Sequence, residues 1–299
     1  MATPTPTPSR RIAGILAPVT TPFDPATGEV ALDRATANAR RLLADGLDGL
    51  VAAGSTGEAV LLDAEEQRRL VAALRAVVPR DRWLLAGTGA ESTRVTIALS
   101  RAAAAEGADA VLVRPPGYFS TAHSANSLVT HFRAIADASP VPVLVYNIPK
   151  YTHTAIAPDL LGRLAGHANI AGVKDSSGDP KNLVAYRHMV PAWSVLVGSG
   201  SLLLTAYESG CEGGIVGVSC FAARLAVELQ AAFRAGDRPR AAELQARLMT
   251  LDKEIVGRLG PAGIKAAMDA AGLYGGPVRE PLAPLAAADR ERVGQLLAA

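Results

Sequence analysis

Lys174 is the residue of this sequence best placed for covalent chemistry. It directly follows the apolar stretch 169–173, whose composition is typical of a buried strand. Because side chains alternate between the two faces of a strand, Lys174 lies on the same face as Ile170 and Gly172. We therefore expect all three to point into the interior of the fold. Burial lowers the pKa of a lysine, and a neutral amine can attack a ketone to form a Schiff base. Taken alone, the position is more typical of a solvent-facing lysine at a strand end.

Two further polar groups follow apolar stretches. Tyr146 ends the stretch 143–146, and its phenol has the chemistry of a proton carrier. By itself it is more typical of a core tyrosine with its hydroxyl at the rim. The sequence 54–57, Gly-Ser-Thr-Gly, offers backbone N–H groups in a tight turn and two hydroxyls, which suits a carboxylate. Such turns are also common structural caps.

The elements that position these residues repeat regularly along the chain. Short apolar stretches alternate with longer segments of helical period, and the stretches are continuous, as in parallel strands covered on both faces. Predicted strands are Ile12–Pro18, Gly49–Ala53, Trp83–Gly87, Ala110–Val113, Val143–Tyr146, Ile170–Lys174, Ser194–Gly198 and Gly214–Val218. Predicted helices between them lie near 33–45, 63–78, 92–106, 123–138, 158–165, 180–189, 201–210 and 221–235, with Asp33, Asp63 and Ser92 as expected N-caps.

The repeat predicts an α/β fold of the (β/α)8 TIM barrel type over residues 10–236. A doubly wound open sheet fits less well, because the segment 17–20 after the first strand is not a glycine-rich phosphate turn. Active sites of such barrels lie where the strands end. The polar residues above all lie there.

Beyond residue 236 the predicted strands stop. Helices are expected near 238–258, 262–272 and 284–298, and no polar linker separates them from the barrel. The sequence therefore predicts a C-terminal helical extension, 237–299, packed on the barrel. Residues 1–9 alternate threonine and proline and predict a disordered tail.

Composition excludes several function classes. Of 299 residues, 49% are hydrophobic and 19% charged, which is too little charge for bulk disorder. The 30 basic and 28 acidic residues give a net charge of +2. The sequence has no cluster of excess basic residues of the kind that would indicate a nucleic-acid partner. No secretory signal or membrane span is apparent, so we expect a cytoplasmic protein without a membrane partner. Cys211 and Cys220 have neither disulfide nor metal-ligand spacing, and no metal or organic cofactor is predicted.

Four motifs, in this order and spacing, carry a resemblance to a known family. They are Thr-Thr-Pro-Phe at 20–23, Gly-Ser-Thr-Gly-Glu at 54–58, Tyr-Asn-Ile-Pro at 146–149 and Gly-Val-Lys-Asp at 172–175. Over residues 10–295 the chain resembles the dihydrodipicolinate synthase/N-acetylneuraminate lyase family of pyruvate-dependent class I aldolases. The resemblance implies a metal-independent lyase in which Lys174 forms an imine with the C2 carbonyl of pyruvate or another 2-keto acid, and Tyr146 moves protons.

The resemblance also assigns the remaining site residues. Ser55 and Thr56 would bind the substrate carboxylate, with Ser55 in the proton relay. Tyr118 stands where the family uses a second tyrosine from a neighbouring subunit. Gly200 and Val218 match positions that shape the pocket, Val218 through its backbone. The implied partners are a small 2-keto acid and further copies of this chain, in a homotetramer built as a dimer of dimers.

Departures from the family pattern bear on the substrate. Tyr151 stands where dihydrodipicolinate synthases carry a carboxylate-binding arginine, and Lys150 offers only a point charge. Gly200 and Ser201 stand where sialic acid lyases place two acids for a polyhydroxy tail, so we expect a long polyhydroxy tail to lack its acidic partners here. The sequences 172–179, 259–265 and 274–277 resemble 4-hydroxy-2-oxoglutarate aldolases, and the first also some 2-keto-3-deoxy sugar-acid aldolases, with Ser176 nearest the C4 hydroxyl.

The predicted function is therefore cleavage or formation of a short 2-keto acid, giving pyruvate and an aldehyde. The alternatives are a dihydrodipicolinate synthase that condenses pyruvate with aspartate semialdehyde, a sugar-acid dehydratase, and a non-catalytic barrel that binds keto acids.

Overall fold

Eight parallel strands close into a barrel in the computed structural model, which describes residues 11–298. Each strand pairs with its neighbour in sequence, and β1 also pairs with β8. The predicted (β/α)8 barrel is confirmed. The strands are β1 (Gly14–Pro18), β2 (Gly49–Ala52), β3 (Trp83–Gly87), β4 (Ala110–Val113), β5 (Val143–Asn147), β6 (Ile170–Asp175), β7 (Ser194–Val197) and β8 (Gly213–Ile215).

Helices cover the outside of the barrel and continue beyond it. They are α1 (Leu32–Ala44), α2 (Ala64–Arg75), α3 (Thr93–Ala105), α4 (Ala125–Ala138), α5 (Pro149–Thr152), α6 (Pro158–Leu164), α7 (Pro180–Met189), α8 (Leu203–Glu208), α9 (Ala223–Arg234), α10 (Arg238–Leu251), α11 (Arg258–Ala270) and α12 (Ala287–Ala298). A π-helix, Asp252–Gly257, joins α10 to α11. Short 3-10 turns lie at Ala59–Leu61, Ser120–Ala122, Gly200–Leu202 and Gly217–Cys220.

Two of the three predicted N-caps are confirmed. Asp63 forms a reciprocal capping box with Glu66 at the start of α2, and Ser92 accepts a hydrogen bond from Val95 N at the start of α3. Asp33 as a cap is wrong, because α1 begins one residue before it. Asp33 lies in the first turn, where its charge still favours the helix N-terminus.

The strands separate an inner from an outer apolar layer. Leu16, Leu144 and Leu196 pack inside the barrel, whereas Val173 and Val195 pack outward against the helices. Both layers are almost entirely aliphatic and have negligible exposure. These two layers fix which residue of each strand points inward, and therefore which side chains can reach the cavity at the strand ends.

A bulge in β6 changes the alternation expected around Lys174. The pairing with β5 passes from Val143↔Ile170 to Leu144↔Gly172, so Ala171 is an extra residue. Ile170 consequently packs in the outer layer. The expectation that Ile170 shares the interior with Lys174 is therefore wrong, although Lys174 pairs with the inward-pointing Tyr146.

The C-terminal helices close over one end of the barrel. The chain turns sharply at Gly260, which has φ of 59° and is followed by Pro261, so α11 is two helical segments joined at a kink. The division of the chain at residue 236 stays a prediction, and the predicted tail 1–9 lies outside the described residues. None of the helices within 11–298 is long and apolar enough to cross a membrane.

Candidate active site

A cavity of about 260 Å³ opens where the barrel strands end. Of the sequence-predicted site residues, six line it together, namely Ser55, Thr56, Tyr146, Tyr151, Lys174 and Ser176. They come from β5, β6 and the connections that follow β2, β5 and β6. The fold therefore brings the covalent, proton-carrying and carboxylate-binding candidates into one space.

Lys174 is the amine of this cavity. Its side chain is buried, and its Nζ lies 4.2 Å from the ring centroid of Tyr146. Within residues 11–298 no carboxylate forms an ion pair with it. The amine therefore has an aromatic face beside it and remains available to a substrate carbonyl.

The phenol of Tyr146 lies next to a hydroxyl from the following strand. Ser176 Oγ lies 3.4 Å from Tyr146 Oη, and Ser176 is held there by its backbone N–H, which donates to Asn147 O at 2.8 Å. Proton transfer by a phenol requires such hydrogen-bonding neighbours. Tyr146 and Ser176 together can take up and return a proton beside the amine.

The turn after β2 presents free donors to the cavity. Gly57 N and Ala59 N donate to Gly54 O, at 3.0 and 3.2 Å, which makes the turn tight. In contrast, the backbone N–H groups and hydroxyls of Ser55 and Thr56 donate to no acceptor within the described part of the chain. Several convergent, unused donors are what a carboxylate binds.

A buried ion pair supports this turn from outside the cavity. Glu58 has φ of 57° and pairs with Lys265 of α11, and both side chains are at most 1% exposed. Glu58 Oε2 also accepts a hydrogen bond from Arg279 N at 2.8 Å, and Lys265 Nζ donates to Pro277 O at 2.6 Å. Burial lowers the pKa of Lys265, and the charge of Glu58 opposes that shift. The C-terminal extension thus holds the last residue of the motif 54–58 in place.

A second polar network lies behind Lys174. Asn147 Nδ2 donates to Asp175 Oδ1 at 2.6 Å and to Tyr186 Oη at 3.1 Å, and Ser177 Oγ donates to Asp175 Oδ2 at 2.7 Å. Burial raises the pKa of Asp175, and these hydrogen bonds oppose the rise. The network ties the ends of β5 and β6 together and fixes the segment that carries Ser176.

The C-terminal extension forms one wall of the cavity, which the sequence did not predict. Its lining residues are Asp252, Val256, Gly257, Gly260, Pro261 and Ile264. Lys150, after β5, reaches this wall, because its Nζ lies 3.4 Å from Gly257 O. The sequence signals in this region were the break at Gly260-Pro261, which indicates a turn, and the resemblance of residues 259–265 to 4-hydroxy-2-oxoglutarate aldolases, and neither assigned these residues to the cavity.

Three sequence-predicted site residues do not line the cavity. Gly200 lies beside it, and a Cβ added there would be 2.5 Å from Val218 Cγ1. Val218 is fully buried behind that position. Tyr118 is 81% exposed and stacks edge-on against Phe119. Their assigned roles stay predictions.

In the range 11–298 no cluster of three or more His, Cys, Asp or Glu side chains is arranged to hold a metal ion. Cys211 and Cys220 are both buried and unpaired, and burial raises the pKa of each thiol to about 12.

Comparisons with known proteins agree with this arrangement. The model of the dihydrodipicolinate synthetase family matches residues 11–299. The 4-hydroxy-tetrahydrodipicolinate synthase 1 of Streptomyces coelicolor is 40% identical over 288 residues, which cover 95% of this chain and 92% of that protein.

Solved structures agree as well. Dihydrodipicolinate synthase DapA-2 of Bacillus anthracis superimposes with a TM-score of 0.91 at 30% identity and covers 96% of this chain and 97% of its own. A prophage protein of Escherichia coli K12 from the same family, YagE, solved with pyruvate, gives 0.90 at 31% identity with the same coverage. The chain therefore belongs to the dihydrodipicolinate synthetase family and is a pyruvate-dependent lyase of the class I aldolase type.

Proposed function

We propose that the protein cleaves, or in reverse forms, a 2-keto acid with a hydroxyl at C4, giving pyruvate and an aldehyde. Candidate substrates are 4-hydroxy-2-oxoglutarate and the 2-keto-3-deoxy sugar acids. The observation that carries this proposal is the buried amine of Lys174, which lies beside the ring of Tyr146 and lines the same cavity as the open donors of residues 55–56.

The proposed reaction begins with the keto acid carboxylate on the free N–H and hydroxyl groups of Ser55 and Thr56. Lys174 adds to C2, water leaves, and a protonated imine forms. The C3–C4 bond then breaks: its electron pair moves into the imine to form an enamine, while the C4 hydroxyl loses its proton to Tyr146. Ser176 lies beside that hydroxyl. Protonation of the enamine at C3 and hydrolysis of the imine release pyruvate and restore Lys174.

Relatives support the pyruvate half of this proposal. The Escherichia coli relative was solved with pyruvate, and so was a chloride-inhibited dihydrodipicolinate synthase from Acinetobacter baumannii, which has a TM-score of 0.90. We carry the keto acid over to this chain because its own donors and amine are arranged to receive one.

We also propose that Tyr118 completes the proton relay of a second copy of the chain, in a dimer within a tetramer. Its exposure of 81% and that of Phe119, 68%, leave a pair of aromatic side chains to be covered. Sedimentation analysis should find dimers or tetramers, and Tyr118→Phe should lower turnover while pyruvate still forms its imine. The cytoplasmic location stays a prediction.

The second candidate is a synthase that condenses pyruvate with aspartate semialdehyde. The name of the Streptomyces coelicolor relative favours it. Against it, the described cavity has no arginine among its lining residues, and the half-exposed Tyr151 lies where a guanidinium would be needed. Its cations are Lys174 and Lys150, neither of which binds a carboxylate through a planar pair of donors.

The test is pyruvate release from 4-hydroxy-2-oxoglutarate and from 2-keto-3-deoxygluconate, coupled to lactate dehydrogenase. Lys174→Ala should abolish release and also the adduct formed with pyruvate and borohydride, detected by mass spectrometry. Lys181→Ala, which removes an exposed lysine of α7, is the matched control and should keep both.

Each alternative has its own outcome in these assays. An adduct on Lys174 without cleavage, but with turnover of aspartate semialdehyde, would establish the synthase. A product that keeps all its carbon atoms would indicate a dehydratase. Absence of any adduct would leave a binding protein and refute the proposed mechanism.

A further inference from the structure

We propose that Asp252 forms a hydroxyl-binding subsite at the mouth of the cavity, and that this subsite selects keto acids with a hydroxylated tail over those that end in a second carboxylate. The inference rests on the proposed function, since it concerns the part of the same substrate that lies beyond C4.

Asp252 is a fixed, buried carboxylate. It begins the π-helix, is 6% exposed and lines the cavity. Its Oδ2 accepts three hydrogen bonds from the connection after β7, from Ser199 Oγ at 2.9 Å, Ser201 N at 2.9 Å and Ser201 Oγ at 2.8 Å. These donors fix the plane of the carboxylate before any ligand enters.

The other oxygen, Oδ1, is unused. It accepts no hydrogen bond from residues 11–298, and Asp252 forms no ion pair within that range. Asp252 lines the cavity, so this open oxygen can accept a hydrogen bond from water or from a molecule that fills the cavity. A hydroxyl can donate. A carboxylate cannot, and its charge is repelled by Asp252 in surroundings of low dielectric constant.

Strand register places this carboxylate beyond the imine. Lys174 pairs with Leu196 of β7, and Ser199 lies three residues further toward the mouth. Ser199 follows the end of β7, so the partner of Asp252 lies nearer the mouth than the strand level at which Lys174 is paired. Ser176 and Ser199 line the same cavity, and Ser199 Oγ is the donor to Asp252 Oδ2. A chain of hydroxyl-bearing carbons beyond C4 would meet these groups in turn.

Gly200 makes this placement possible. A Cβ at this position would lie 3.1 Å from Asp252 Oδ1 and 2.5 Å from Val218 Cγ1, so a side chain would displace one of the two. The connection after β7 therefore contributes donors and space, whereas the acid comes from the C-terminal extension. The expectation that a polyhydroxy tail lacks an acidic partner holds for residues 200–201 and not for the cavity as a whole.

Lys150 is the competing group at the mouth. Its side chain is exposed, and its Nζ lies 3.4 Å from Gly257 O and 5.5 Å from the ring centroid of Tyr151. An exposed ammonium is strongly screened, whereas the buried Asp252 is not. The balance of charge at the mouth therefore favours a neutral hydroxylated tail over a terminal carboxylate.

The experiment compares kcat/KM for 2-keto-3-deoxygluconate and 4-hydroxy-2-oxoglutarate in the wild-type protein and in Asp252→Asn. The asparagine oxygen keeps the three donors, so its amide N–H₂ replaces Oδ1 and the subsite changes from acceptor to donor. We expect the wild-type protein to prefer the deoxygluconate. Asp252→Asn should lower kcat/KM for it by roughly 10- to 100-fold and leave the dicarboxylate unchanged or improved.

Two further variants separate selectivity from structural damage. Glu254→Gln changes an acid of the same π-helix that does not line the cavity, and it should leave the ratio of the two substrates unchanged. Ser201→Ala removes one donor to Oδ2 without touching Oδ1, and it should change the ratio much less than Asp252→Asn does.

Equal loss of both substrates in Asp252→Asn, or a wild-type preference for the dicarboxylate, would overturn the proposal. The borohydride adduct with pyruvate is measured in parallel. If the adduct forms in wild type and in Asp252→Asn while the ratio stays fixed, only the subsite is refuted. If the wild-type protein forms no adduct, the proposed function fails and the subsite fails with it.

Discussion

At the inner end of the cavity, the reactive groups come from strand ends that are close neighbours in the barrel. Lys174 and Tyr146 lie opposite each other in the β5–β6 pairing. At the mouth, the groups come from the connection after β7 and from a π-helix that lies outside the barrel repeat, joined through Asp252 and Ser201. The inner end is built by the repeat that makes the fold, and the mouth by a segment appended to it. The amine and the phenol are therefore tied to the barrel strands, while the proposed subsite for the aldehyde half can change with the appended segment.

The largest effect is expected when the amine at the inner end of the cavity is removed and the mouth is left intact. Lys174→Met should lower kcat by roughly 10⁴-fold or more, because among residues 11–298 no other amine lies against the Tyr146 ring to form the imine. The variant should still bind 2-keto-3-deoxygluconate reversibly, since the donors of residues 55–56 and Asp252 remain. Calorimetric titration measures this binding. If binding disappeared together with turnover, the inner end and the mouth of the cavity would not act independently.

The second effect concerns the support of the inner end by the extension. Lys265→Met leaves Glu58 buried without its cation and should lower the free energy of unfolding by about 3–5 kcal/mol. It should also raise KM for the keto acid, because Glu58 ends the carboxylate-binding turn. Urea unfolding and steady-state kinetics measure the two effects.

Lys253→Met, which removes an exposed lysine of the extension, is the control for that variant and should change neither quantity. The double variant Glu58→Gln/Lys265→Met should recover part of the stability, because no buried charge is left unpaired. If the double variant lost as much free energy of unfolding as the two single variants together, the coupling between Glu58 and Lys265 would be contradicted.

A smaller effect is expected at Lys150. Lys150→Met should lower kcat/KM for 4-hydroxy-2-oxoglutarate by about two- to fivefold and leave that for 2-keto-3-deoxygluconate nearly unchanged, because an exposed charge contributes little. The same coupled assay applies. A large loss with the dicarboxylate would show that Lys150, and not Asp252, dominates the mouth.

The smallest effect concerns pH at the mouth. Burial raises the pKa of the Tyr151 phenol above its ordinary value, and the nearby Tyr146 adds to the rise. A raised pKa keeps the phenol neutral wherever an ordinary tyrosine is neutral, so the ratio of the two substrates should not change between pH 7 and about 9.5 because of it. Tyr151→Phe should change that ratio by less than about twofold at any pH in this range. A ratio that titrates in the wild type but not in Tyr151→Phe would contradict this.

The difference between the inner end and the mouth of the cavity also explains which features could be predicted from the sequence. All eight strands were predicted close to their observed bounds, because continuous apolar stretches between helices have few other structures available. Lys174, Tyr146 and the turn 54–57 were found because they directly follow such stretches. The error at Ile170 came from an extra residue in β6, and alternation cannot anticipate a bulge.

Asp252 and the Glu58–Lys265 pair were beyond reach for a different reason. The residues that meet at these points are far apart in sequence, Asp252 and Ser201 by 51 positions and Arg279 and Glu58 by 221, and no local period records such contacts. Asp252 also begins a π-helix, whose changed register alters which side chains face the cavity. A pattern with the ordinary helical period assigns these side chains to a different face of the helix.

The link between Glu58 and the residues near 265 and 279 also sets an order of events during translation. The turn that receives the keto acid leaves the ribosome early, but Lys265 and Arg279 follow only when the chain is almost complete. Until then Glu58 has neither its counter-ion nor its backbone donor, even where the strands already pair. The turn proposed to bind the keto acid is thus fully supported only at the end of synthesis, and a nascent chain that has completed its barrel strands still lacks this support.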